Sequence, residues 1–200
     1  LKAFASINPM FGKDAISEIE RCVSLGFCGI GELGPGASGY DFQSPQFLDV
    51  LECAIHYHLP VCIHCGEPVG HIYPGKDTTS LAPIPQLLKT YPNLKLILAH
   101  MGGGLPFYEM NPRYKELFQN VRYDTAANPL LYDIKSIKAV ISMVGPSRLL
   151  YGSDFPLLLY PSVKREMDFS LFIHDIKQNA NLTEPEWTQF MGKNLLDFIM

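Results

Sequence analysis

The chain lacks any apolar run near the roughly 20 residues that a bilayer-spanning helix needs, which argues against a membrane partner. It also lacks a basic run, and its 16 lysines and arginines are outnumbered by 20 acidic residues. Nucleic acid, whose binding rests on neutralised phosphates, is therefore not an expected partner. Charge is sparse altogether, at 18% of residues against 47% hydrophobic, so the composition is that of a globular chain rather than a disordered one. Cysteine is confined to Cys22, Cys28, Cys53, Cys62 and Cys65, an odd set with no zinc-ribbon spacing. Reduced core thiols in a cytoplasmic protein are expected. Cys62 and Cys65 flank His64 in a strand-like run instead of opening a helix, which tells against a redox pair.

What is present is an alternation of strands and helices. Leu94-Lys-Leu-Ile-Leu-Ala-His100 is a short apolar run that ends in a histidine and three glycines. A buried parallel strand reads as such a continuous run, and glycines beyond it let the backbone turn sharply. Similar strands are predicted at Lys2–Ile7, Phe27–Glu32, Leu59–His64, Asn120–Asp124 and Arg148–Tyr151. Helical spacing falls between them at Asp14–Leu25, Phe47–Tyr57, Ile84–Thr90, Leu105–Phe118 and Tyr132–Met143. Two more helices follow, one over Asp168–Gln178 and one opened by the capping box at Thr183–Glu186. There is no hairpin signal, and each gap is long enough for a parallel crossover.

The expected fold is α/β with a parallel sheet, in one domain over residues 1–200 with no internal boundary. Six strands are too few for a closed eightfold barrel. Either the sheet is open and doubly wound, or a TIM-type (β/α)8 barrel lacks its first two βα units here. The chain starts at Leu1, already close to a strand, and reads as N-terminally incomplete.

Ionisable residues sit at the predicted strand ends: Glu32, His64, His100, Asp124 and, just past the last strand, Asp154. They are spaced 32, 36, 24 and 30 residues apart, about one βα unit each. In a parallel sheet all those ends lie at one rim. Imidazole and carboxylate together suit zinc and similar borderline ions, so a divalent metal or acid–base site is expected there. His71 and Lys76, in the loop after His64, are candidates for binding an anionic group of a small-molecule substrate. His56 and His58, at a helix end, read as solvated.

The segments Ile63-His64-Cys-Gly-Glu67-Pro68, Leu98-Ala-His100-Met-Gly-Gly, Tyr123-Asp124-Thr-Ala-Ala and Leu150-Tyr-Gly-Ser-Asp154-Phe-Pro156 carry a resemblance, as does the ending Phe190–Phe198. Together they resemble the amidohydrolase-related branch of the amidohydrolase superfamily, which includes aminocarboxymuconate-semialdehyde decarboxylase. The resemblance implies a TIM-barrel metal-dependent hydrolase, with a decarboxylase as the alternative. It implies metal ligation by His64 and Asp154, with Asp154 also taking a proton from an activated water, and acid–base or substrate-polarising work by His100. It gives Glu32 the place of a metal-binding acid in some branches; Asp124 reads as a strand-end hydrogen-bond acceptor, with the orienting of a neighbour as the alternative. Zinc is the expected ion.

The family's His-x-His pair of the first strand is not in this chain, which leaves two expected ligands unfilled. A non-catalytic remnant with an incomplete metal site, surviving as a binding protein or as a homo-oligomer that covers its open sheet edge, is the reading from another class. A nucleotide-binding doubly wound sheet is disfavoured, because Gly102–Gly104 lacks the fingerprint spacing.

Overall fold

The computed structural model describes residues 1–200 apart from His71, Pro74, Gly75 and Lys164. The substrate-binding expectation for His71 therefore lies outside the described residues. Strands β1 (Ile30–Leu33), β2 (Val61–Ile63), β3 (Leu96–Leu98), β4 (Val121–Asp124) and β5 (Leu149–Leu150) form one sheet in the order β1-β2-β3-β4-β5. Every pairing is parallel. A doubly wound sheet reverses its strand order at a switch point, and this one does not. The sheet is an arc of a singly wound barrel, as the second of the two fold expectations has it.

The predicted strand at Lys2–Ile7 contributes only a bridge from Ala5 to Ile30 beside β1. Its N–H donates to the Gly29 carbonyl at 2.8 Å, and its carbonyl accepts from Gly31 N–H at 2.9 Å. The run ends early because Asn8 caps a tight turn that begins at Pro9.

Helices α1 (Lys13–Ser24), α2 (Pro45–His56), α3 (Ile84–Thr90), α4 (Ser136–Val144) and α5 (Phe169–Asn179) follow the predicted spacing closely. Strand alternation explains how the sheet is buried on two sides. Val61, Ile63, Leu96, Leu98, Val121 and Tyr123 join the main core with helix residues such as Ile19, Leu51 and Ile141. Cys62, Ile97 and Leu150 belong to a smaller cluster, closed by Phe198 of the C-terminal helix α6 (Asn194–Ile199). Lys95 Nζ and Arg122 Cζ lie 5.6 and 4.4 Å from the centre of the Phe198 ring.

One predicted helix is broken. Leu105–Phe118 holds two single turns, Leu105–Tyr108 and Pro112–Lys115. Pro112 brings no N–H and forces Asn111 into an extended conformation, so the helix restarts with the Asn111 side chain accepting from Arg113 N–H. All five cysteines are free thiols, and His56 and His58 are exposed. Among the described residues no helix is long and apolar enough to cross a membrane.

Candidate metal centre

The five strand-end residues occupy one rim of the sheet, as parallel pairing requires. Three of them converge: His64 Nδ1 is 2.9 Å from Glu32 Oε1 and 3.0 Å from His100 Nε2, and His100 Nε2 is 3.5 Å from Glu32 Oε1. His100 Nδ1 lies 2.9 Å from the Ala126 carbonyl, which can only accept. That contact fixes the hydrogen on Nδ1, so the neutral ring presents its Nε2 lone pair to the other two groups. Donors bound to one ion at about 2.0–2.2 Å stand roughly 3.0–3.5 Å apart in octahedral or tetrahedral arrangements. The observed spacing of a carboxylate and two imidazoles fits a divalent ion. All three donor atoms lie within 4.8 Å of one another.

Burial works against charge on Glu32 and His100, but their mutual hydrogen bonding outweighs it. Contacts with both histidines hold Glu32 at about 2, and Glu32, Ala126 and Asp124 push His100 up to about 9. Asp124 stands behind the cluster instead of in it. Its Oδ1 accepts from the His100 and Ala126 N–H groups, each at 3.0 Å. Burial lifts its carboxyl to about 6 against the pull of His100 and those two donors. Asp124 is thus a strand-end hydrogen-bond acceptor for two backbone N–H groups.

The cluster opens into a cavity of about 510 Å³ with Asp154 and Glu67 on its wall and an apolar side formed by Leu130, Leu131 and Leu157. Asp154 shares the cavity, but its carboxylate is not among the clustered donors. Backbone strain gathers here too. His100, Ala127 and Asp154 all line the cavity in the left-handed region, at φ 56°, 57° and 58°. Such conformations are costly for residues with a side chain and collect at functional sites. The glycines after His100 serve the same turn: a Cβ on Gly102 would lie 2.6 Å from the Tyr123 ring, at φ +58°. Lys76 lies elsewhere, lining a neighbouring cavity with its Nζ 5.8 Å from the Tyr73 ring centre.

Thr125, fully buried, had no signal in the sequence beyond its place after Asp124. Its hydroxyl donates to the Gly152 carbonyl at 3.1 Å and accepts from Gly152 N–H at 3.0 Å, tying the end of β4 to the segment that carries Asp154. Thr125→Val leaves both Gly152 groups without that partner, and a loss of roughly 1–3 kcal/mol is expected in urea denaturation.

The amidohydrolase family profile matches residues 1–194, and the chain belongs to the amidohydrolase family. It is 26% identical to 2-amino-3-carboxymuconate-6-semialdehyde decarboxylase of Dictyostelium discoideum, over 94% of this chain and 57% of that protein. The chain thus spans little more than half the length of that relative. Among solved structures, 2,6-dihydroxybenzoate decarboxylase complexed with 2,6-dihydroxybenzoate superposes with a TM-score of 0.73 at 20% identity, covering 99% of this chain and 70% of that one. A dihydroxybenzoic acid decarboxylase from Polaromonas sp., with bound manganese and 2-nitroresorcinol, gives 0.70 at 22% identity, covering 99% and 68%. These likenesses agree with the barrel arc read from the strand order.

Proposed function

We propose that this chain carries the metal-binding side of a decarboxylase for a small aromatic or unsaturated carboxylic acid. The observation that carries the reading is the Glu32–His64–His100 donor cluster, open to a half-apolar cavity, in a chain related to a decarboxylase. That relationship favours the lyase alternative over hydrolysis. Glu32, His64 and His100 would hold the ion, which when bound supplies Lewis-acid withdrawal of electron density from the substrate. The donor set accommodates zinc and manganese alike. Manganese is proposed because a decarboxylase of the same fold holds it.

Decarboxylation breaks the bond between the carboxylate and its carbon, and that carbon keeps the electron pair and needs a proton. Among the cavity's ionisable groups, Asp154 lies outside the donor cluster on the strained segment after β5. Asp154 passes a proton to the carbon, carbon dioxide leaves, and solvent returns a proton to Asp154. Leu130, Leu131 and Leu157 strip water from the carboxylate, which favours its conversion to a neutral gas. The manganese-loaded protein is expected to release carbon dioxide from dihydroxybenzoates or carboxymuconate semialdehydes, as measured by a coupled carbon dioxide assay. Turnover of esters or amides without carbon dioxide overturns the reading.

A further inference from the structure

A second cavity adjoins the first. It holds about 890 Å³ and shares Gly66, Glu67 and Tyr73 with the cavity of the donor cluster. One side is apolar, with Leu81, Leu105, Tyr108, Tyr114 and Phe118 among its walls, while Glu67, Lys76, Asp77 and the hydroxyl residues Thr78 to Ser80 supply a polar and charged rim. Such a volume is that of a ligand site and not of a packing defect.

The frame is built through close backbone approaches. A Cβ at Gly66 would overlap the Asp77 carbonyl oxygen, and one at Gly36 would overlap the Asp77 carboxylate. A Cβ at Gly103 would lie 2.6 Å from the Gly66 carbonyl oxygen and 2.7 Å from Leu81 Cδ1. Glycines from three separate parts of the chain thus let the loop after β2 close down on its neighbours and leave the chamber beside it. Asp77 pins the loop further by accepting from Thr79 N–H at 2.7 Å.

A single-ring acid fits within the first cavity and leaves the second without a guest. We infer that the second chamber seats the apolar body of the substrate, so that the preferred acids carry an aryl or alkyl group beyond the reacting unit. This rests on the decarboxylase reading for the placement of the carboxylate end. Gly66, two residues after His64, lines both cavities together with Glu67 and Tyr73, so the second lies directly beside the donor cluster's own. A phenyl group buried there removes on the order of 100 Å² of apolar surface from water, enough for at least about tenfold in affinity.

The test is calorimetric binding of salicylate and of its 4-phenyl and 5-phenyl derivatives to the manganese-loaded protein. At least one phenyl derivative is expected to bind tenfold or more tightly than salicylate. Ala82→Trp fills the chamber from an exposed position and should cut that advantage to about twofold while leaving salicylate unchanged. Thr78→Trp, also exposed, is the parallel variant if the first does not fold. Equal binding of all three acids to the unaltered protein overturns the chamber and leaves the decarboxylase reading standing. An advantage that survives both tryptophans also overturns the chamber. Binding of none of the acids overturns the parent reading and this inference with it.

Discussion

His64→Ala is expected to weaken manganese binding by at least about a hundredfold and to abolish the carbon dioxide release proposed for the site. His64 is the middle member of the cluster, 2.9 Å from the Glu32 carboxylate and 3.0 Å from His100 Nε2. Without it the two remaining donors stand 3.5 Å apart and must hold an ion alone. Loss of a partner that only orients a ligand already costs about 10- to 100-fold in affinity, so loss of a donor should cost more. The His64 side chain is 31% exposed, so the fold should survive its truncation. Titration followed by elemental analysis reads the result, and stoichiometric manganese at unchanged affinity in His64→Ala would remove the metal assignment. Asp154→Asn offers the contrast. Because Asp154 lies outside the donor cluster, that variant should keep the ion and lose turnover.

The rim was legible in the sequence because four of the six predicted strands end at Glu32, His64, His100 or Asp124, and Asp154 follows a fifth. Leu94–His100 and Leu59–His64 show this most plainly, and parallel pairing alone then carries Glu32, His64 and His100 to one place. The division of labour among the five was not legible. Whether His100 or Asp154 faces the other donors depends on side-chain direction after a left-handed turn, which spacing does not encode. The Gly102 contact with Tyr123 and the Thr125 clamp on Gly152 are likewise pairings between separate units. Leu105–Phe118 misled because its apolar spacing is helical while Pro112 overrides it locally. The partner of Arg148 was not legible either, because it lies 39 residues away.

That partner is Glu109, and the pair carries the largest stability effect expected in the molecule. The Glu109 side chain is 2% exposed and that of Arg148 12%. The guanidinium donates to both carboxylate oxygens, at 2.5 and 2.7 Å, and its Nε donates to the Val121 carbonyl at 3.0 Å. Tyr123 donates its hydroxyl to the same carboxylate at 2.6 Å. Arg148→Leu would leave a buried carboxylate with Tyr123 as its one remaining donor among these, and a cost of roughly 3–5 kcal/mol is expected. At about 2–4 °C per kcal/mol for a chain of this size, the melting temperature should fall by on the order of 10 °C. Arg148→Lys should recover little, because an ammonium cannot span both oxygens as the planar fork does. The double variant Glu109→Leu/Arg148→Leu should recover most of the loss, since the penalty comes from the stranded charge and not from the missing attraction. Thermal denaturation of the four proteins separates these outcomes, and a cost under 1 kcal/mol for Arg148→Leu would show that the carboxylate finds water or another donor. The effect should also reach the rim: the network holds Tyr123, and Gly102 rests against that ring two residues past His100. A several-fold loss of manganese affinity in Arg148→Leu, measured where the protein is still folded, is the expected sign that this buried ion pair supports the metal centre from behind.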